Sequence, residues 1–191
     1  MTITPTTLDD ELLRRLRAGD AQAFAALYRR HQGPVYRFAL LRCGSADTAA
    51  DTVQEAFMGL LSGRFAFDPL RGSLPNFLFG VARLLILKHD APRRRETSLP
   101  EPDEDDAELA SEDACPLARV LAGEAAEEVR RALARLAPHY RDCVILYEMH
   151  GLSYGEIATI CAVDIGTVRS RLARGRAALA KALRTHALDA H

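Results

Sequence analysis

Several features are scarce in this 191-residue chain, and each absence excludes something. Runs of β-branched residues are few while alanine and leucine dominate, which disfavours sheet and predicts a chain built almost wholly of helix. No apolar run approaches 18 residues, so no membrane-spanning helix and no membrane insertion is expected. The first residues, MTITPTTLDDELL, lack a basic n-region and an apolar core, which argues against a signal peptide. The four cysteines, Cys43, Cys115, Cys143 and Cys161, form no C-x-x-C pair; scattered thiols fit buried, reduced residues in a cytoplasmic protein. There is no P-loop, G-x-S-x-G, H-E-x-x-H or glycine-rich dinucleotide motif, so enzyme classes built on them are not indicated and no cofactor is expected. His139 and Cys143 stand four apart on a helix, but two ligands do not make a metal site, and Cys143 falls on the apolar side as a core thiol.

What is present is patterned charge. The net charge of −1 conceals +4 over residues 1–96, −8 over 97–116 and +3 over 117–191. The middle block, TSLPEPDEDDAELASEDACP, has eight acids and no base, and reads as a flexible linker between two helical modules.

The most informative stretch is Gly151 to Arg176. Helical periodicity over Tyr154–Cys161 puts Ile157, Ala158 and Cys161 inward, and Ser153 with Glu156 has capping-box spacing. After the turn Ala162-Val163-Asp164, a second helix turns Val168, Leu172 and Leu179 inward, with Asp164 and Thr167 at its start. Its other face is expected to show Arg169, Ser170, Arg171, Arg174 and Arg176. From Ile165 to Arg184 there are six basic residues and no acid, a balance that suits a phosphate backbone. This is the layout of a helix-turn-helix whose second helix enters the major groove. The plainer reading is a helical hairpin with a solvated basic face.

In the first module, Leu12, Leu13 and Leu16 mark one helix and Phe24, Leu27 and Tyr28 the next, beyond an N-cap at Asp20. Pro34 is expected to open a third helix, Val35–Cys43. A fourth begins at Ser45 or Asp47 and buries Val53, Ala56, Phe57 and Leu60, with Asp51, Gln54, Glu55 and Met58 elsewhere on it. The loop FAFDPLRGSLPNF follows, then a helix from Asn76 to about Asp90 carrying Phe77, Leu78, Val81, Leu84, Leu85 and Leu87 with polar Arg83, Lys88 and His89. Phe65, Phe67 and Phe77 beside a basic helix are a recipe for holding single-stranded nucleic acid, rings stacking on bases. For any single phenylalanine core is the better reading, although apolar residues among glycine and proline are expected to bury poorly. In the second module, helices are expected over Ala125–Leu136 and Tyr140–His150, the latter with Val144, Ile145 and Tyr147 and closed by Gly151.

These residues carry a family likeness. LARLAPHYRDCVILYEMHGLSYGEIATICAVDIGTVRSRLARGRAAL resembles region 4 of bacterial sigma factors, while AFAALYRRHQGPVYRFAL, VQEAF and FDPLRGSLPNFLFGVARLLI resemble region 2, in the family's order. The narrower likeness is to the extracytoplasmic-function group of the sigma-70 family. It implies an all-α chain of two small helical domains, region 2 over 1–96 and region 4 over 117–191, joined by the acidic linker 97–116. It implies a promoter-specificity subunit that binds core RNA polymerase through the clamp helices of the large subunit and the flap region, and that recognises and melts promoter DNA. By likeness, Asp51, Gln54, Glu55 and Phe57 bind polymerase. Phe67, Arg71, Ser73, Asn76, Phe77, Arg83 and Lys88 hold the melted −10 strand. Thr167, Arg169, Ser170, Arg171, Arg174 and Arg176 serve the −35 element, with bidentate arginine on guanine as the direct contact. An anti-sigma factor covering the apolar faces at rest is also implied. The family usually has Trp where this chain has Phe77, and often Asn and Asp where it has Leu84 and Lys88. Two other readings stay open at this point: an ordinary helix-turn-helix regulator, and a sigma mimic that occupies an anti-sigma factor.

The linker has a length problem. Elements about 25 base pairs apart lie roughly 85 Å apart at ~3.4 Å per step. A 20-residue coil averages about 25 Å and stretches to about 70 Å, so a partner must hold it extended. Eight carboxylates suit a basic channel built for RNA. Replacing all eight with Asn and Gln should weaken holoenzyme assembly or alter early RNA synthesis; if both assays are unchanged, the linker is not a nucleic-acid mimic.

Overall fold

The structure, a computed structural model, describes residues 5–96 and 124–189. The linker reading of 97–116 and the onset near Leu117 lie outside these. Among the described residues there are helices and loops and no strand. Two compact units divide after Ile86, within the fourth helix.

The first unit starts with α1 (Pro5–Arg17) and α2 (Ala21–Cys43). Asp20 caps α2, accepting from the amides of Gln22 at 2.9 Å and Ala23 at 3.3 Å. α1 is pinned to α2 at Asp9, a buried carboxylate whose Oδ2 lies 3.0 Å from His31 Nε2 and whose Oδ1 lies 3.4 Å from Arg30 Nε. Pro34 does not open a new helix: it sits inside α2. Proline forfeits one backbone bond there, and the buried run Leu27, His31, Val35, Phe38 carries the helix across it.

α3 (Ala46–Leu61) is capped by Ser45, whose Oγ accepts from Thr48 N at 3.3 Å. Its buried face is Ala49, Val53, Ala56 and Phe57. α4 (Leu74–Glu96) starts two residues earlier than expected and runs on through Pro92. Leu74, Leu78, Phe79, Val81, Ala82, Leu85 and Ile86 are its buried face. Leu84 is 63% exposed, so it belongs to the outer face and not to the core.

The loop between α3 and α4 is better packed than its Gly/Pro content suggests. Gly59 makes the room: a Cβ there would fall 2.1 Å from Cδ2 of Phe65. Phe65 and Phe77 lie against the cluster Ala56, Val81 and Leu85, and Phe67 meets Phe77 at a tilt, 5.3 Å between ring centroids. The expectation that these phenylalanines bury poorly is corrected. A glycine notch in a neighbouring helix lets a ring enter a core that the loop backbone alone could not reach.

The second unit comprises α5 (Glu124–Ala134), α6 (Pro138–Val144), a wide π turn (Ile145–Met149), α7 (Tyr154–Cys161) and α8 (Ile165–Asp189). The expected Tyr140–His150 helix is therefore α6 plus the π turn. Arg141 ties α5 to α6, donating to the carbonyls of Ala134 and Leu136, the latter at 2.9 Å. Asp142 through Leu146 are five consecutive buried residues. The end of α6 and the start of the π turn are thus the post on which this unit is built.

α8 lies on that post at Gly175. A Cβ at Gly175 would sit 2.7 Å from Val144 Cγ2 and 3.3 Å from Tyr140 Cβ. Gly175→Ala should therefore destabilise this unit. Overpacking costs about 1–3 kcal/mol, against roughly 1 kcal/mol gained in helix propensity. We expect a net loss of up to about 2 kcal/mol, read by thermal melting; a rise in melting temperature would contradict the close approach.

Candidate nucleic-acid interface

The helix-turn-helix is built as its spacing suggests. In α7, Ser153 Oγ accepts from Glu156 N at 3.4 Å while Glu156 Oε2 accepts from Ser153 N at 2.9 Å, closing the capping box. Ile157, Ala158, Ile160 and Cys161 are buried. The turn is made by Ala162 in the left-handed region, at φ 57° and ψ 46°. An L-residue there costs roughly 1–2 kcal/mol, so the surrounding packing over-determines the turn. At the head of α8, Asp164 Oδ1 accepts from Thr167 N at 2.7 Å and Oδ2 accepts from Thr167 Oγ1 at 2.8 Å. These bonds hold the Asp164 carboxyl below its ordinary value.

Val168, Leu172, Gly175 and Leu179 face the core of α8. At 100° per residue, the opposite face is Gly166, Ser170, Ala173 and Ala177, flanked by exposed Arg169 and half-exposed Arg174. Ser170 Oγ donates to Thr167 O at 3.0 Å, leaving its lone pairs to accept. Ile165, largely exposed, extends the face at the helix start. Thr167 is used locally by the cap.

Two of the expected arginines do not join this face. Arg171 is half-buried on the inward flank, its Nε enclosed. Arg176 turns back into the unit: its Nε donates to Glu148 Oε1 at 2.7 Å, and its guanidinium lies 4.8 Å from the centre of the Tyr147 ring. The reason is helical phase. Position 176 falls beside the inward positions 172 and 179, so its cation meets protein first.

The first unit offers a second surface. On α4, Asn76, Gly80 and Arg83 recur at helical spacing on the outer face, with Phe77 and Leu84 along one border; the same stripe runs on along the helix to Leu87 and Lys88, past the division at Ile86. Arg71 is exposed and Ser73 half-buried at the root of this stripe. Phe67 is only 7% exposed, so its ring is not on the surface. The loop instead presents Leu70, 95% exposed, at the tip of a 3-10 turn (Pro69–Arg71) capped by Asp68, which accepts from Leu70 N at 3.0 Å. The sequence reading did not single out Leu70, although the D-P-L-R-G turn chemistry contained the signal.

On α3, Asp51 and Gln54 are exposed. Glu55 is taken up locally by Arg64 at 2.8 Å, and Arg64 also covers the Phe65 ring at 4.5 Å. Phe57 is 1% exposed, packed edge-on to Tyr28 at 4.9 Å. It floors an open groove of about 600 Å³ between α2 and α3, lined by Tyr28, Tyr36, Val53, Gln54 and Met58 among others. The contribution of α2 to this groove was not anticipated.

Other expectations resolve simply. Cys143 and Cys161 are buried and Cys43 partly so. Cys161 beside it, together with burial, pushes the Cys143 thiol well above the ordinary thiol range. Among the described residues no three His, Cys, Asp or Glu side chains are grouped to hold a metal, and no helix is long and apolar enough to cross a membrane.

A capped helix-turn-helix with a cationic outer face, in a chain with a separate unit bearing a polar stripe and an apolar groove, defines a modular DNA-binding protein. The comparisons narrow the class. Residues 27–96 match the family described as Sigma-70 region 2, and residues 126–179 match Sigma-70, region 4. The chain is 34% identical over 177 residues to the ECF RNA polymerase sigma factor SigM of Mycobacterium tuberculosis, covering 92% of this chain and 84% of that one. It is 30% identical over 183 residues to the RNA polymerase sigma-H factor of Pseudomonas aeruginosa, covering 92% and 93%. The fold is shared with the sigma factor RpoE of Bartonella quintana, solved in complex with the anti-sigma factor NepR, at TM-score 0.64 and 24% identity over 86% of this chain and 98% of that chain. The protein belongs to the extracytoplasmic-function group of the sigma-70 family. The plain regulator and sigma-mimic readings are not favoured.

Asp164 gives a pH test of the interface. Its folded value lies below the ordinary 3.8, so its stabilisation of the α8 start is complete above pH 3.8 and is lost as pH falls through the lowered value. Hydrogen exchange at the Thr167 amide should stay protected down to about pH 4 and open only in stronger acid. In Asp164→Asn the acid step should vanish; a wild-type amide already unprotected near neutral pH would contradict the cap.

Proposed function

We propose that this chain binds core RNA polymerase, brings it to promoters carrying −10 and −35 elements, and promotes strand opening. In this reading the outer face of α8 enters the major groove at the −35 element. Arg169, Ser170 and Arg174 make the contacts, and Thr167 acts by holding the helix start. The outer stripe of α4, with Arg71, Ser73, Asn76, Phe77, Arg83 and Lys88, and with Leu70 at the loop tip, holds the opened −10 strand. Phe67 supports that loop from beneath. Asp51 and Gln54 with the α2–α3 groove receive the clamp helices of the large subunit, Phe57 forming the groove floor and Glu55 bracing the loop through Arg64. Region 4 meets the flap. We divide the chain as 1–96, the linker 97–116, and 117–191. The work is one of binding and positioning in the cytoplasm, where the polymerase is, and requires no cofactor.

The observation that carries this reading is the pairing of two surfaces in one chain. An exposed cationic helix face suits duplex DNA, and a polar stripe beside an apolar loop tip suits a single strand. The groove is apolar and would be covered at rest. An anti-sigma factor is the occupant we infer, in keeping with the RpoE–NepR complex.

Run-off transcription with core enzyme tests the whole. The chain should confer promoter-dependent transcripts. Arg169→Ala and Arg174→Ala should each lower −35-dependent initiation by about tenfold, in the range of one lost base or phosphate contact. Duplex binding without any transcript would instead indicate an ordinary regulator. Capture of an anti-sigma factor without any transcript would indicate a mimic.

A further inference from the structure

We propose that Arg176 is a positioning residue that locks α8 at its reading angle, and that it contributes nothing to the phosphate contacts. This rests on the reading of α8 as the −35 helix. Three observations converge on it. Arg176 bridges 28 residues back to Glu148, Nε to Oε1 at 2.7 Å. Its side chain is 22% exposed and that of Glu148 10%, so the pair is largely withdrawn from water. Its guanidinium also lies over Tyr147, 4.8 Å from the ring centre, and Tyr147 in turn meets Tyr154 at 5.4 Å.

Tyr154 is the first residue of α7, and Tyr147 and Glu148 lie in the π turn. One guanidinium therefore joins α8, the π turn and the head of the supporting helix. It sits next to Gly175, where α8 seats on α6. The glycine fixes the distance between the two helices, and the buried Val168, Leu172 and Leu179 on the same face share in resisting rotation of α8 about that contact. The Arg176 bridge, off to one side of the contact, opposes that rotation. A guanidinium suits the task because it donates in a plane and stacks on a ring at once. Reaching for a phosphate would strip Glu148 of its partner in a poorly hydrated site, which opposes release.

The consequence is measurable through salt. A cation that neutralises a phosphate releases a counterion, so its loss lowers the slope of log K against log salt by about 0.9, whereas a positioning cation leaves the slope alone. Holoenzyme made with full-length variants is titrated onto a −35-containing duplex over a range of salt. Arg176→Gln should weaken binding about tenfold at every salt concentration with the slope unchanged. Arg174→Gln should lower the slope by about 0.9.

Glu148→Gln separates the two roles further. If Arg176 positions α8, this substitution weakens binding even though it removes a negative charge; if Arg176 contacts phosphate, it frees the cation and binding tightens. The exchange Glu148→Arg with Arg176→Glu should recover part of the loss, which covers the case in which a single variant folds poorly. A lowered slope for Arg176→Gln, tighter binding for Glu148→Gln, or full affinity in both would each overturn the proposal. If Arg169→Gln and Arg174→Gln alter neither affinity nor slope, the reading of α8 as the DNA helix fails on its own, and the positioning role fails with it.

Discussion

The second unit depends on a contact that is defined by a missing carbon. Gly175 lets the backbone of α8 settle against Val144 and Tyr140 of α6, closer than any side chain would allow. The contact falls where the chain turns inward, over five consecutive buried residues that end α6 and open the π turn. α5 is held to it by Arg141, and α7 is joined to it through the π turn. The capped start of α8, the strained Ala162 turn and the outward cations inherit their positions from that seating. With α8 an ångström or so further out, the inward side chains Val168, Leu172 and Leu179 would lose contact that close packing makes costly to lose.

The first unit repeats the device with different parts. Gly59 removes a side chain from α3, and the Phe65 ring fills the space. Arg64 closes the site by pairing with Glu55 while lying over that ring. The loop is thus a packed element, and what it leaves outside is selective: Leu70 at the tip, Arg71 beside it, and the outer stripe of α4.

Much of this was legible in the sequence, and the exceptions have physical causes. The caps at Asp20, Ser45, Ser153 and Asp164 were readable because capping is local chemistry between neighbours. The apolar faces of α7 and α8 were readable from their period. Pro34 misled because burial of the flanking turns outweighed one lost backbone bond, and α4 runs past the end expected near Asp90. The π turn was invisible because it opens within the continuous buried apolar run Cys143–Leu146, which has no period to break. Arg171 and Arg176 were counted with the DNA face because charge alone points to solvent; phase against Leu172 and Leu179 sends them inward, and Glu148 lies 28 residues away. Phe57 and Phe67 were assigned to partners by likeness; both are buried, which follows from tertiary packing that likeness of sequence does not display. The groove behind Phe57 needed tertiary structure, since half of its wall comes from α2.

α3 carries two loads on one rod. Asp51 and Gln54 project from its exposed side, and two turns further on the same helix holds the notch in which the loop is rooted. A rigid helix has no slack between them. A body that takes hold of the first end grips the same helix against which the loop that carries Leu70 is rooted through Phe65. The exposed pair and the root of the loop thus share one rigid segment, about 12 Å long at 1.5 Å per residue.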